Sequence, residues 1–152
     1  MKSSFFNGIN HDRLYSATDF AEYFKSFIGN GVFGGDTSNM QVSAAGGLTL
    51  NINIGACFIN GYYGIVETAE QITLEEGDST FARCDLITAR LDLVSRDIHI
   101  NVIEGDAAAS PEYPVIVRDD TCYDIVLAAV KVRKDVTEIT SADITDTRFD
   151  TA

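Results

Sequence analysis

The chain has 152 residues, of which 45% are hydrophobic and 22% charged, a composition typical of one globular domain rather than of a disordered or fibrous protein. Its 11 basic and 23 acidic side chains give a net charge of −12, which argues against nucleic acid as a partner because an acidic surface repels the phosphate backbone. The N-terminus lacks a charged start followed by a short apolar run, and no stretch approaches the roughly 18 apolar residues of a membrane span. Neither a signal peptide nor a membrane partner is expected.

One amphipathic helix is predicted near the N-terminus. Ser16 followed by Asp19 has the form of a capped helix start. Residues 29–31, Gly-Asn-Gly, tolerate positive φ and are typical of a helix end. Between these signals, large apolar side chains recur at the spacing of one helical face: Phe20, Tyr23, Phe24, Phe27 and Ile28.

From residue 40 onward the hydrophobic period changes to two, which predicts β-strands. After a break at residues 45–47, apolar residues alternate with polar ones from 48 to 54. Asn60-Gly61 is the favoured dipeptide of a two-residue type I′ turn, so residues 56–67 are predicted to form a hairpin. Because adjacent strand residues face opposite sides, either Tyr62 or Tyr63 is expected to be exposed near its tip.

The second half of the chain continues the strand pattern. Residues 87–93 and 98–102 alternate in the same way and predict a longer hairpin, whereas residues 105–114 are small, polar and proline-bearing, as in a loop. Residues 123–132 form a continuous apolar run with β-branched residues, which predicts a central strand covered on both faces. Two short strands are expected at the end, at residues 136–139 and 144–149.

These elements predict a mainly β (β-rich α+β) fold. One helix followed by about seven strands, with turn signals every 8 to 12 residues or so and no β-α-β spacing, is typical of an antiparallel β-sandwich or barrel-like domain. A polar segment at residues 34–39 separates a helical arm from the strands. We therefore expect residues 1–39 to form an N-terminal arm packed on the same domain as the antiparallel β-domain of residues 40–152.

Signals for catalysis and metal binding are weak. His11 and His99 lack the spacing of zinc ligands, no Gly-x-Ser-x-Gly motif is present, and residues 77–80 are typical of a polar turn. The cysteines are odd in number and widely spaced, so Cys57, Cys84 and Cys122 are expected to be buried and reduced. The chain is therefore not expected to be an enzyme.

Acidic residues cluster in three places. Paired carboxylates can act in glycoside hydrolysis, but they must be desolvated, and the first cluster has few apolar neighbours besides Ile72 and Leu74. None of the clusters matches a calcium-binding loop. A solvated surface is favoured, no cofactor is expected, and a structural calcium ion stays open as an alternative. The clusters are Glu67, Glu70, Glu75, Glu76 and Asp78; Asp119, Asp120 and Asp124; and Asp143, Asp146 and Asp150.

Several short motifs follow one another along nearly the whole chain. They are Phe-Phe-Asn at 5–7, Asp-Phe-Ala-Glu-Tyr-Phe at 19–24, Gly-Asn-Gly-Val-Phe at 29–33, Ile-Asn-Gly-Tyr-Tyr at 59–63, Arg-Cys-Asp at 83–85, Arg-Leu-Asp at 90–92, Leu-Ala-Ala-Val-Lys-Val at 127–132 and Ile-Thr-Asp-Thr-Arg at 144–148. Their order resembles the N-terminal attachment module of baseplate and tail-appendage proteins from phages and prophages of Gram-positive bacteria.

The resemblance implies a non-enzymatic virion structural protein of the tail baseplate. Such a protein is made in the bacterial cytoplasm, joins other baseplate and tail proteins, and ends up in the virion tail. Because tail organelles use cyclic symmetry, a homo-oligomer is expected, with a trimer favoured. In these proteins a variable receptor-binding or oligomerisation region commonly follows the module, whereas this chain stops at residue 152, so receptor binding is not carried over.

Two groups of residues are candidate contacts. Phe5, Phe6, Ile9 and Tyr15 precede the helix, and one small domain lacks room for so many aromatics, so they are expected to form an oligomer or partner interface. The alternative is that the arm folds back over an open end of its own β-domain. Tyr62 and Tyr63 suggest a second function, a carbohydrate-binding module for host cell-wall glycans, although a cross-strand aromatic pair would explain them as well.

Overall fold

The computed structural model describes residues 3–10, 12–33 and 37–150. This part of the chain is mainly β, with one α-helix near the N-terminus, so the predicted fold class is confirmed. The elements are α1 (Ala17–Lys25), β1 (Gly31–Phe33), β2 (Val42–Gly46), β3 (Thr49–Ile52), β4 (Gly55–Ile59), β5 (Tyr62–Val66), β6 (Glu70–Thr73), β7 (Arg83–Asp92), β8 (Asp97–Ile103), β9 (Cys122–Val132), a 3-10 turn (Ser141–Asp143) and β10 (Ile144–Asp146).

Three antiparallel sheets surround a common core in a sandwich-like arrangement. Their strand orders are β1-β4-β5, β2-β3-β6 and β10-β9-β7-β8. Each sheet contributes fully buried apolar side chains, among them Ile59 from β4, Leu50 from β3 and Ile87 from β7. Alternation along the strands produces this core, because every second residue of β3 and β4 faces inward.

Both predicted hairpins are present. β4 and β5 are joined by Asn60 and Gly61, whose φ values of 51° and 83° give the type I′ turn that the dipeptide predicts. β7 and β8 form the longer hairpin, with Arg96 at positive φ in its turn. β9 lies between β7 and β10 and is largely buried, which confirms the prediction of a central strand.

The C-terminal part of the chain differs from the prediction in two places. The strand expected at residues 136–139 is absent: Val136 closes a turn onto the Arg133 carbonyl, and Ile139 is buried as part of an irregular segment with a single backbone bond to Gly47. Two apolar residues three positions apart thus cover the core without strand pairing. The last strand ends at Asp146. The Thr147 amide still bonds the Leu127 carbonyl in register with β9, and the chain then turns at residues 147–150, with Arg148 buried.

Three of the arginine–aspartate pairs in the described residues fasten loops to this framework. Arg83, 4% exposed, binds Asp85 at 3.0 Å and donates to the Glu75 and Glu76 carbonyls, which holds the turn after β6. Arg90 binds Asp124 at 2.8 Å. Both arginines lie in the motifs that carry the phage resemblance, so these motifs have structural roles here.

The third pair joins the two ends of the β-domain. The Arg148 guanidinium donates to Asp146 at 2.7 Å and also to the carbonyls of Thr37 and Asn39. Its side chain is 2% exposed. The segment before β2 is therefore attached to the segment after β10 by one fork-shaped donor.

Candidate functional site

The N-terminal helix begins as the sequence predicts. Ser16 accepts a hydrogen bond from the Asp19 amide at 3.3 Å, and Asp19 accepts one from the Ser16 amide at 2.7 Å, which completes a capping box. The helix ends at Lys25, one turn before the predicted apolar stripe ends. Phe27 and Ile28 continue the stripe through a turn in which the Ile28 amide still bonds the Phe24 carbonyl at 2.8 Å.

The helix packs on the tip of the β4–β5 hairpin through its smallest face. Ala21 is its buried residue, and a Cβ atom at Gly61 would lie 1.9 Å from the Ala21 carbonyl oxygen. The Asn30 side chain also accepts a hydrogen bond from the Asn60 amide at 2.7 Å. The arm thus lies against its own β-domain, as the fold-back alternative expects, but through Ala21 rather than through the aromatic stripe.

The aromatic stripe faces solvent and continues onto the neighbouring sheet. Phe27 is 60% exposed and Tyr23 51%. Neighbouring ring centroids lie 4.9 to 6.3 Å apart along a continuous network that runs from the arm over α1 to the outer face of β1, β4 and β5. We call this network the aromatic surface: Phe5, Tyr15, Phe20, Tyr23, Phe24, Phe27, Phe33, Phe58 and Tyr63.

The structure divides the candidate interface residues of the arm into two groups. Phe5 stacks on Tyr15 at 5.3 Å and belongs to the aromatic surface. The Tyr15 hydroxyl accepts a hydrogen bond from the Phe6 amide at 2.9 Å, which folds this part of the arm back on itself. Phe6, stacked under Arg13, and Ile9, 75% exposed, lie outside the aromatic surface and face solvent.

The two tyrosines of the hairpin also separate, as expected for adjacent strand residues. Tyr63 is 55% exposed and pairs across the strands with Phe58 at 5.1 Å, so it is both a cross-strand pair and part of the aromatic surface. Tyr62 is half-buried and packs against the core. The prediction that places both tyrosines among the contacts therefore fits Tyr63 better than Tyr62.

Sequence reasoning missed two rings of the aromatic surface. Phe58 could have been found, because a two-residue turn at 60–61 pairs residue 58 with Tyr63 on the same face. Phe33 lies on β1, a three-residue strand that pairs with β4 and that no periodicity reveals. Ile54 and Ile65, both more than half exposed, extend the apolar area beside these rings and line one shallow depression.

Most charged side chains belong to parts of the sequence that do not contribute to the aromatic surface. Residues 37–66, which include β2 to β5, contain no charged side chain, and residues 3–33 carry three acidic and two basic ones. Residues 37–150 carry 19 acidic and 8 basic side chains, all of them after residue 66. The aromatic surface is thus nearly neutral on a strongly acidic protein.

Replacing Gly61 with alanine should detach α1 from the hairpin. The new methyl group would collide with the Ala21 carbonyl at a residue of φ 83°, so we expect a loss of about 2 kcal/mol in the free energy of unfolding. Amide hydrogen exchange within Ala17–Lys25 should accelerate in the variant.

Two other glycine-to-alanine variants distinguish the collision with Ala21 from backbone strain as the cause of that loss. Gly29→Ala meets no atom within 4 Å and has no positive φ, and Gly46→Ala has φ 100° but open space. We expect no effect from the first and only backbone strain from the second, with helix exchange unchanged in both. Slow helix exchange in Gly61→Ala would show that the contact does not hold the helix.

The acidic clusters do not form a common site. Glu67, Glu70, Glu75, Glu76 and Asp78 are exposed, and Asp78 accepts the amides of Thr80 and Phe81 in a turn, which keeps its pKa below the usual value. Asp124, Asp143 and Asp146 are each paired with an arginine. Within residues 3–10, 12–33 and 37–150, no three His, Cys, Asp or Glu side chains are grouped so that they could hold a metal ion.

The cysteines and histidines of the described residues lie in different environments. Cys57 is buried, and burial raises the pKa of its thiol to about 11. Cys84 and Cys122 are only half-buried, so the prediction that all three are buried is wrong: both lie on the outer face of the β7–β9 pair. His99 is exposed on β8 near Asp97, whereas His11 lies outside the described residues.

No helix in the described part of the chain is long and apolar enough to span a membrane. Comparison of the chain with protein-family models, with curated proteins and with solved structures finds no match.

Proposed function

We propose that this protein is a non-enzymatic structural component of a phage or prophage tail baseplate. It associates with its own copies and with neighbouring tail components through the aromatic surface. The observation that carries the proposal is the continuous exposure of aromatic rings from the arm to the outer face of β1, β4 and β5, in a region whose net charge is nearly zero.

The size of this surface supports a stable contact. The exposed parts of the network, with Ile54 and Ile65, correspond to about four complete large side chains, or roughly 800 Å² at ~200 Å² each. A specific interface buries about 800 Å² on each partner, and contiguous apolar patches above a few hundred Å² mark interaction sites on soluble proteins. Aromatic residues are also the side chains most enriched in interface centres.

The charge distribution favours association between copies through this surface. Two copies that approach with any face formed after residue 66 bring together two strongly acidic surfaces, and like charges oppose that contact. The aromatic surface is where two copies meet without this repulsion. Three copies whose aromatic surfaces face one three-fold axis bury the rings together, and we favour this trimer.

The link to a tail baseplate rests on the order of the sequence motifs. The hairpin turn at Asn60-Gly61 places Tyr63 on the aromatic surface, and the helix motif at 19–24 supplies three of its rings. Other motifs, at Arg83 and Arg148, hold loops in place. The motifs therefore combine the interface with the framework that carries it, as an attachment module requires, and the virion tail is the proposed location.

The test is the solution mass of the protein and of a double variant, Phe27→Glu with Tyr63→Glu. Both residues are more than half exposed, so the substitutions leave the core intact. Wild type should be a trimer by light scattering, and the variant a monomer, because two buried aromatic anchors are each worth about 2 kcal/mol or more. Co-expressed with neighbouring tail proteins, wild type but not the variant should be recovered in tail particles.

Val94→Glu with Val115→Glu is the matched control. These two residues are 78% and 88% exposed, and they lie in the acidic part of the chain. This control has the same added charge as the test variant and should remain a trimer. A wild-type monomer at every soluble concentration, or a double variant that still associates, would contradict the proposal.

A further inference from the structure

We propose that a cleft between Tyr113 and Phe149, along the edge of β9, binds a short uncharged oligosaccharide. The cleft has a volume of about 880 Å³, within the usual range of ligand sites. One wall is the loop that carries Tyr113 and Arg118, and the other is the segment from Thr145 to Asp150. Residues 30–32, at the start of β1, also line the cleft.

The cleft exists because two strands pair incompletely on this side. β10 pairs with β9 only at Ala128, Ala129 and Val130. The segment before β9 folds back onto it through the Asp124 amide, which donates to the Val117 carbonyl at 2.8 Å. Ile125 and Val126 lie between these two contacts and form the floor of the cleft.

Exposed aromatic rings stand on both walls. Tyr113 is 62% exposed and Phe149 57%. The Arg148 guanidinium stacks on the Phe149 ring at 5.0 Å, and it is fixed by three hydrogen-bonding partners, Asp146, Asn39 and Thr37. The C–H face of a pyranose ring is apolar and packs on such aromatic faces, whereas its hydroxyls require polar partners.

Hydrogen-bond donors and acceptors both lie near the two aromatic rings. Arg118 stacks on Tyr123 at 5.2 Å and donates through Nε to the Asp124 carbonyl at 3.3 Å, so its guanidinium is held in place while the side chain stays exposed. The Thr145 hydroxyl and the carboxylate of Asp150 lie on the opposite wall. Sugar hydroxyls both donate and accept hydrogen bonds, and this mixture of donors and acceptors suits them.

Charge and strand geometry favour this occupant over two others. A polyanion would approach a protein of net charge −12 against its field. An extended peptide could add to the free edge of β1, but that strand has three residues and offers few backbone groups. An uncharged saccharide uses the exposed rings and the hydroxyl-binding groups together.

The experiment is binding of the intact protein to an array of neutral and acidic oligosaccharides, followed by calorimetry with the neutral ones that bind. Tyr113→Ala and Phe149→Ala should each weaken binding by about tenfold or more, whereas Tyr113→Phe, which keeps the ring, should retain most of it. Phe6→Ala is the control, because Phe6 is a similarly exposed ring, 60% exposed, that lies outside both the cleft and the aromatic surface. It should bind as wild type does.

The outcomes separate this proposal from the structural role. No binding to any neutral oligosaccharide, or binding that is unchanged by Tyr113→Ala and Phe149→Ala, overturns the saccharide site. A preference for acidic glycans overturns the proposal that the ligand is uncharged. Self-association does not depend on this cleft, so a trimer without glycan binding contradicts only this inference, and a monomer that binds glycans contradicts only the proposed assembly function.

Discussion

Replacement of Asp124 with asparagine should lower the free energy of unfolding by about 3 kcal/mol, among the largest losses expected from a single substitution in this chain. The Asp124 side chain is fully buried. Its carboxylate accepts hydrogen bonds from Arg90 at 2.8 and 2.9 Å, from Thr88 and from the Val117 amide. Asparagine keeps the shape but replaces the charged partner of Arg90 with a neutral amide, whose NH2 group faces hydrogen-bond donors. Urea denaturation should show the loss, with a melting temperature about 6 to 12 °C lower.

The same variant should change how stability depends on pH. Burial alone would raise the pKa of Asp124, but the hydrogen bonds from Arg90 and Val117 outweigh it and keep the pKa below the usual value. A depressed pKa means that this stabilisation is complete above the unfolded value, near 3.9, and is lost as the pH falls through the folded one. Wild type should therefore lose stability in acid more steeply than the variant, which cannot titrate at this position.

Asp97→Asn is the control for Asp124. Its carboxylate is 62% exposed and lies 3.6 Å from His99. Solvent screens such pairs, so we expect a change below about 0.5 kcal/mol. Equal losses in the two variants would show that the buried network around Asp124 is not what stabilises the sheet.

Arg148→Met should cost about 3 kcal/mol and loosen two distant segments together. Methionine keeps the apolar stem but removes the side-chain donors to Thr37, Asn39 and Asp146, and part-buried hydrogen bonds of this kind contribute about 1 kcal/mol each. Hydrogen exchange should accelerate both before β2 and around β10. Lysine at this position should recover only a small part, because an ammonium group cannot reproduce the fork of the guanidinium.

Lys134→Met provides the comparison for Arg148. Lys134 is exposed in the turn after β9, so the same change of charge should leave stability and exchange nearly unaltered. If Arg148→Met loosened only the C-terminal segment, the guanidinium would not be the link between the two ends of the β-domain.

Local sequence patterns correctly predicted the elements whose conformation is determined by neighbouring residues in the chain. The Asn60-Gly61 turn sets the register of its hairpin, and the Ser16–Asp19 capping box sets the start of the helix, because both depend on residues within a few positions. The strand prediction for residues 136–139 was wrong for the opposite reason. Val136 and Ile139 are apolar because they cover a core built by other segments, and sequence period cannot distinguish a covering loop from a strand.

The candidate site was predictable in its composition and not in its orientation. The spacing of Phe20, Tyr23 and Phe24 correctly identifies one apolar face. An apolar helical face normally points to the core, and only the close approach of Ala21 to Gly61 shows that this one points outward. The cleft was missed because Tyr113, in a predicted loop, and Phe149, at the end of a predicted strand, lie 36 residues apart and no sequence pattern relates them.

The contact between Ala21 and Gly61 has a consequence for how this protein can diversify. The hairpin holds the helix through main-chain atoms and one methyl-sized side chain, so almost every other helical position is released from the requirements of folding. Substitutions of the ring residues can then change what the aromatic surface binds while the contact between Ala21 and Gly61 stays the same. Under selection for new partners, the helix should vary quickly around an unchanging alanine, and the glycine opposite it should vary least of all.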